Sequence, residues 1–197
     1  MPPNTGYSTA PGDGNEGSGE LMLRAVEQET AALSLCPFDA TWADLVCSWV
    51  RDAQEAYWLA PTTPPPLTPD DIRSWCRAGR MPLVLCPGQP HRPVAYGELN
   101  LLDGGRSHYW LGHLIVDPAR RGCGLVQELA RQLLGRAFRG LAAARVSLVV
   151  FPENERAIAC YRKVGFRADG WEVHDFGAYA RRVRLLRMAI EWGEWRY

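Results

Sequence analysis

The sequence predicts an α/β (α+β) fold in which a mixed, mostly antiparallel central sheet of about six to seven strands is flanked by helices on both faces. Three observations carry this. Between residues 82 and 116 lie three apolar runs of strand length, separated by Gly- and Pro-containing turns, as in a meander. Residues 113–164 then alternate strand, helix, strand, helix, a pattern that brings helices onto the sheet. Residues 167–192 close the chain with two more extended segments.

Taken in order, residues 1–19 are rich in Pro, Gly, Ser, Thr and Asn and nearly devoid of apolar side chains, so a mobile tail is expected there. Residues 20–197 then suit a single domain with one core. A first strand is expected over 21–26. Trp42, Leu45, Val46, Trp49 and Val50 recur at helical spacing and predict a helix over 40–54, with Asp39 or Thr41 as its cap. The run APTTPPP over 60–66 is a stiff, extended linker. Thr68, Pro69, Asp70 and Asp71 open a second helix, to about 77, as N-cap, first-turn proline and two acids at the positive helix end. The strand over 93–102 carries Tyr96, Glu98 and Asn100 on one side and Ala95, Gly97 and Leu99 on the other. Asp103-Gly104-Gly105 is a hairpin signal. Along 107–116, His108, Trp110 and Gly112 share one face, and Tyr109, Leu111 and His113 the other. Strict alternation thus gives His113 a structural place. Helices over 125–139 and 154–164 flank a strand over 145–151, before a final hairpin of 167–176 with 181–192.

The stretch HLIVDPARRGCGLVQELARQLLGRAF, 113–138, organises the chain. Asp117-Pro118 stops a buried strand. Arg120, Arg121, Gly122, Cys123 and Gly124 form a basic, glycine-rich turn, and Leu125 starts a helix. Such a turn exposes unpaired N–H groups at a positive helix end, a ready site for a phosphate or pyrophosphate. Composition narrows the rest. Lys plus Arg equals Asp plus Glu, at 22 each, which argues against non-specific nucleic-acid binding. No apolar run approaches the ~20 residues that span a membrane, and no secretory leader is expected. The six cysteines include no CxxC and fit no zinc module, so no metal and a reduced, cytoplasmic setting are expected.

Two motifs, in this order and each after a strand, resemble those of the GNAT superfamily of acyl-CoA-dependent N-acyltransferases. The first is Arg121-Gly122-Cys123-Gly124-Leu125-Val126, matching Arg/Gln-x-x-Gly-x-Gly/Ala except that Val126 is larger than the usual last residue. The second is Asn154, Ala157, Tyr161, Gly165 and Phe166 at the family spacing. The resemblance covers about residues 80–190 and implies the GNAT fold. It also implies acetyl-CoA as co-substrate, direct acetyl transfer without a covalent intermediate, and a small-molecule or peptide amine as acceptor. The turn from Arg121 to Val126, with Gly122, Cys123, Gly124 and Leu125, would hold the pyrophosphate. Backbone groups of Leu114, Ile115 and Val116 would bond the pantetheine arm, and Asn154 the same arm. Tyr161 would protonate the leaving thiolate, a phenol of pKa ~10 being a suitable donor to a thiol of ~8.5.

For the base, Glu98 and His108 are both open. A His near pKa ~6.5 is tuned to take a proton at neutral pH, and Glu98 lies where many GNAT enzymes keep a carboxylate. Trp49, Tyr57, Trp58 and Trp75 are candidate lining for the acceptor cleft, since the family's first helices flank it. Cys123 reads as a small filler in a tight turn. A monomer or a homodimer fits equally. The alternative to an enzyme is a non-catalytic acyl-CoA-binding module of the same fold, with Val126 narrowing the phosphate site.

Overall fold

A computed structural model describes residues 33–88, 92–103 and 107–196. Among these residues seven strands form one sheet: β1 Leu33–Pro37, β2 Pro82–Pro87, β3 Ala95–Asp103, β4 His108–Val116, β5 Arg145–Val150, β6 Arg167–Phe176 and β7 Arg181–Glu191. Their spatial order is β1-β2-β3-β4-β5-β7-β6. Every neighbouring pair is antiparallel except β4 with β5, which run parallel. Five α-helices accompany them: α1 Ala43–Ser48, α2 Ala53–Leu59, α3 Pro69–Ser74, α4 Leu125–Gly135 and α5 Glu155–Val164. This is the mixed, mostly antiparallel α/β architecture expected from the sequence. The expected tail over 1–19, the strand over 21–26 and the hairpin glycines Gly104 and Gly105 lie outside the described residues. Among the described residues no helix is long and apolar enough to cross a membrane.

Period-two alternation along the strands splits the apolar side chains between two faces. On one face α4 buries Leu125, Leu129, Leu133 and Leu134 against Leu99, Leu111, Val146 and Leu148, and α5 adds Ile158, Tyr161 and Val164. Gly97 lets α4 approach: a Cβ there would lie 3.1 Å from Leu133 Cδ1. On the other face α1 and α3 bury Val46, Trp49, Ile72 and Trp75 against Val84, Cys86, Tyr96 and Ile115. α2 stands apart, placing Tyr57 with Phe151, Phe176 and Leu185 beside the far end of the sheet.

Three elements differ from expectation. The helix expected over 40–54 divides into α1 and α2. Asp52 adopts an extended conformation, φ −154°, and its carboxylate accepts the Glu55 N–H at 2.8 Å, starting a second helix. A local cap thus outweighs continuous apolar spacing. The helix after the proline linker stops at Ser74, although its start is as expected: Thr68 and Asp71 form a reciprocal capping box with Pro69 in the first turn. Finally, β1 pairs with β2 where the sequence shows only the short alternation LSLCP. Two repeats of a period-two pattern carry too little signal to separate an edge strand from a loop.

Candidate active site

The parallel pair does not stay paired. β4 and β5 are in register only from His108 to Trp110 against Arg145 to Ser147. Beyond that point the strands part toward their C-terminal ends. Open α/β sheets bind ligands outside the carboxyl ends of their strands, where the sheet divides. Two helix starts flank this opening, α4 following β4 and α5 following β5. α2 lies across its mouth and is tied to both arms. Glu55 takes hydrogen bonds from Arg121 at 2.5 and 3.2 Å on the β4 side, while the Tyr57 ring packs 4.7 Å from that of Phe151 on the β5 side.

On the β4 arm Asp117 caps a single 3-10 turn, Pro118–Arg120, and the chain then passes through two left-handed glycines, Gly122 at φ +88° and Gly124 at φ +79°. A Cβ on Gly122 would meet nothing within 4 Å, so this turn borders open space. Gly124 is the N-cap of α4 and supplies no side-chain acceptor, so the first N–H groups of the helix lack a capping side chain. Cys123 is exposed in the turn. Val126 is half-buried and packs against the α4-side core, so its branched side chain is accommodated there. The Arg121 guanidinium also donates to the Trp49 carbonyl at 2.9 Å and the Val116 carbonyl at 3.3 Å.

Burial favours the neutral form of Glu55, but the hydrogen bonds from Arg121 and Arg51 outweigh it and hold the carboxyl at about 2. A depressed carboxyl stabilises the fold fully above its unfolded value of ~4.3 and loses that contribution as pH falls toward the folded value. Wild type therefore loses melting temperature between pH 5 and pH 2 partly through Glu55. Glu55→Gln should show a lower melting temperature than wild type at pH 7 and a smaller difference from it at pH 2, read by calorimetry at the two pH values.

Midway along β4, His113 is left-handed at φ +50°, and the register with β3 shifts between Tyr96 and Glu98. The extra residue on β4 makes a bulge. It breaks the alternation that would have put His113 opposite Glu98's face. The ring instead stacks on Trp75 at 4.0 Å and places Nδ1 2.7 Å from Glu98 Oε1. Glu98 is wholly buried and also accepts hydrogen bonds from the Tyr96 hydroxyl at 3.0 Å, Asn100 Nδ2 at 2.8 Å and Arg80 at 3.2 Å. Burial pushes its carboxyl up, but these donors, His113 first, bring it below the ordinary value. His108 lies at the end where β4 and β5 are still paired, its Nε2 2.8 Å from Ser147 Oγ. Burial and then the nearby Arg145 cation lower its pKa. The structure thus joins Glu98 to His113 and not to His108. The sequence offers one faint signal for this: His is among the few non-glycine residues that enter the left-handed region with any frequency.

On the β5 arm, Asn154 caps α5, its Oδ1 accepting from the Ala157 N–H at 3.2 Å. Tyr161 is buried on the inner face of α5, its ring edge-on to Phe166 at 6.0 Å. Burial, and then the neighbouring Cys160, raise its phenol well above the usual tyrosine range. Gly165, left-handed at φ +111°, ends the helix. Outside the end of β5 a cleft of about 520 Å³ opens, walled partly by Tyr57 and Trp58 of α2 and by Phe151. Of the aromatics proposed from sequence as cleft lining, Tyr57 and Trp58 are there, whereas Trp49 and Trp75 belong to the α1/α3 core. Among the described residues no cluster of three or more His, Cys, Asp or Glu side chains has metal-binding geometry.

Comparisons with known proteins bear on the family and the fold. The model of the acetyltransferase (GNAT) family matches residues 48–166, more than half of the chain. Spermidine N(1)-acetyltransferase of Escherichia coli K12 is 35% identical over 108 residues, which is 55% of this chain and 56% of that enzyme. The match thus spans about half the length of that relative. Peptidyl-lysine N-acetyltransferase YjaB of the same organism is 28% identical over 135 residues, 68% of this chain and 82% of that protein. Among solved structures, spermidine N-acetyltransferase from Vibrio cholerae in complex with CoA and spermine superposes with a TM-score of 0.69 at 18% identity, covering 83% of this chain and 98% of that one. A GNAT-family acetyltransferase from Bacillus anthracis gives 0.70 at 18% identity, over 83% and 96%. At these identities the structural likeness speaks for the fold.

Proposed function

Since the chain belongs to the acetyltransferase (GNAT) family, we propose that it is an acetyl-CoA-dependent N-acyltransferase. It moves an acetyl group from coenzyme A to a primary amine of a small molecule or peptide by direct transfer. The observation that carries this is the parting of β4 from β5 with a glycine-built helix start on one arm and Asn154 and Tyr161 on the other. In this reading the N–H groups from Gly122 to Val126 receive the pyrophosphate at the positive end of α4. Arg121 shapes the turn and holds α2 to it through Glu55. The backbone edge of Leu114, Ile115 and Val116 has no strand partner on the β5 side, so it is free to bond the pantetheine arm and polarise the thioester oxygen.

Proton transfer is assigned to chain residues on both sides of the opening. Tyr161 donates to the leaving thiolate. Its burial keeps the phenol protonated at neutral pH and above. The pair Glu98–His113 accepts the proton of the acceptor ammonium. Glu98 accepts a hydrogen bond from the Nδ1–H of His113, which fixes the tautomer and leaves Nε2 to receive the proton. The proton path then runs at the parted end of the strands and not at His108 beside Ser147. The six unpaired cysteines suit a reducing cytoplasmic setting.

A thermal melt with acetyl-CoA, against ATP as a control anion, tests the cofactor site. Ligand at about 100 times its dissociation constant adds ~2.7 kcal/mol, a rise of roughly 5–11 °C for a chain of this size. That rise with acetyl-CoA and none with ATP is the expected result. Thiol release across an amine panel then separates an enzyme from a module that only binds. No melting shift with either ligand sinks the proposal.

A further inference from the structure

The cleft outside β5 has a charge pattern that bears on the acceptor. Besides Tyr57 and Trp58 it is lined by Trp171, Arg181, Arg184 and a single acid, Glu153. Arg184 lies with Cζ 4.6 Å over the Trp171 ring, and Arg181 with Cζ 5.5 Å over the Tyr57 ring. Neither arginine forms an ion pair among the described residues, in contrast to Arg187 on the same strand, which is bound by Asp169 and Glu172. Stacking on an aromatic face holds a guanidinium in place while leaving its donor edge free for a planar anion. The other carboxylate that α2 brings near, Glu55, is already taken up by Arg121 and Arg51. The cleft's size lies within the ~300–1,000 Å³ of small-molecule sites.

We infer that this cleft selects an acceptor whose amine is accompanied by a carboxylate and a flat apolar body, the class being an aromatic α-amino acid, and that it disfavours polyamines. The inference rests on the acetyltransferase reading only for the claim that the bound amine is then acetylated. Arg181 and Arg184 take the carboxylate, and Trp58 and Trp171 the apolar body. A polyamine would instead bring several cations into a cleft whose two arginines outnumber its one acid, Glu153.

The test is a calorimetric titration of the full chain, with and without coenzyme A, using L-phenylalanine, 2-phenylethylamine and spermidine. Phenylalanine is expected to bind about tenfold or more tighter than 2-phenylethylamine, the effect of at least one charge-assisted hydrogen bond. Arg184→Gln should abolish most of that preference and Arg184→Lys restore part of it, with both variants melting as wild type does. Equal binding of the two probes, tighter binding of spermidine, or no binding of any of them overturns the inference. Thiol release with acetyl-CoA keeps the two claims apart. Phenylalanine that binds with the stated preference but releases no thiol supports the subsite and counts against the transferase reading. Thiol release on spermidine or 2-phenylethylamine with kcat/KM equal to or above that for phenylalanine supports the transferase and overturns the selectivity.

Discussion

Tyr161→Phe is expected to lower kcat for the proposed acetyl transfer by about 10²–10⁴-fold, the contribution of a positioned proton donor. The ring remains packed edge-on to Phe166, so the fold and the melting shift with acetyl-CoA should persist. Loss of the rate with retention of cofactor binding is the signature of a group that acts on the leaving thiolate. The pH profile adds a second check. Because burial raises this phenol, the donor stays protonated as pH rises, and its alkaline limb should lie above the ordinary tyrosine value of ~10. A Tyr161→Phe enzyme within a factor of about three of wild type in thiol release would remove Tyr161 from the chemistry, being far below the effect of general acid catalysis.

Glu98→Ala is expected to be the most destabilising single substitution at the site. The carboxylate is fully buried and receives hydrogen bonds from His113, Tyr96, Asn100 and Arg80. Removing it leaves four donors facing a hole in the protein interior. Breaking a buried charged pair from one side costs about 3–5 kcal/mol, or roughly 6–20 °C of melting temperature for a chain of this size. Glu98→Gln retains one acceptor oxygen and fills the space, so it should lose distinctly less. The pH dependence has a fixed sign. The folded carboxyl is lowered, so its contribution is present above the unfolded value of ~4.3 and is lost as pH falls below it. The melting difference between wild type and Glu98→Gln should therefore shrink on going from pH 7 to pH 3. A constant difference across that range would mean that Glu98 is not ionised in the fold.

Much of the local geometry of the candidate site is legible in the sequence, and the reason is that it is short-range. Gly122 and Gly124 stand where left-handed backbone is needed, Asn154 where a helix needs an acceptor at its start, and Gly165 where that helix must end. Each requirement is met within a few residues along the chain, so it leaves a mark in spacing. The same holds for Thr68, Pro69 and Asp71 at the start of α3. Val126 looked too large for its place in the turn, yet its side chain goes to the core, a direction set by the rotation of α4 on the sheet.

What the sequence by itself determined is the order and type of the main elements from β2 onward, the left-handed glycine turn before α4 and the Asn154 cap of α5. These follow from backbone conformations and apolar periods that are short-range. Only the tertiary structure decided that β7 inserts between β5 and β6, that β4 and β5 part after three paired residues, and that α2 bridges the gap by linking Glu55 to Arg121. It alone turned His113 onto Glu98, because a one-residue bulge reverses which face every later side chain occupies, and no period in the sequence records where an extra residue will be accommodated.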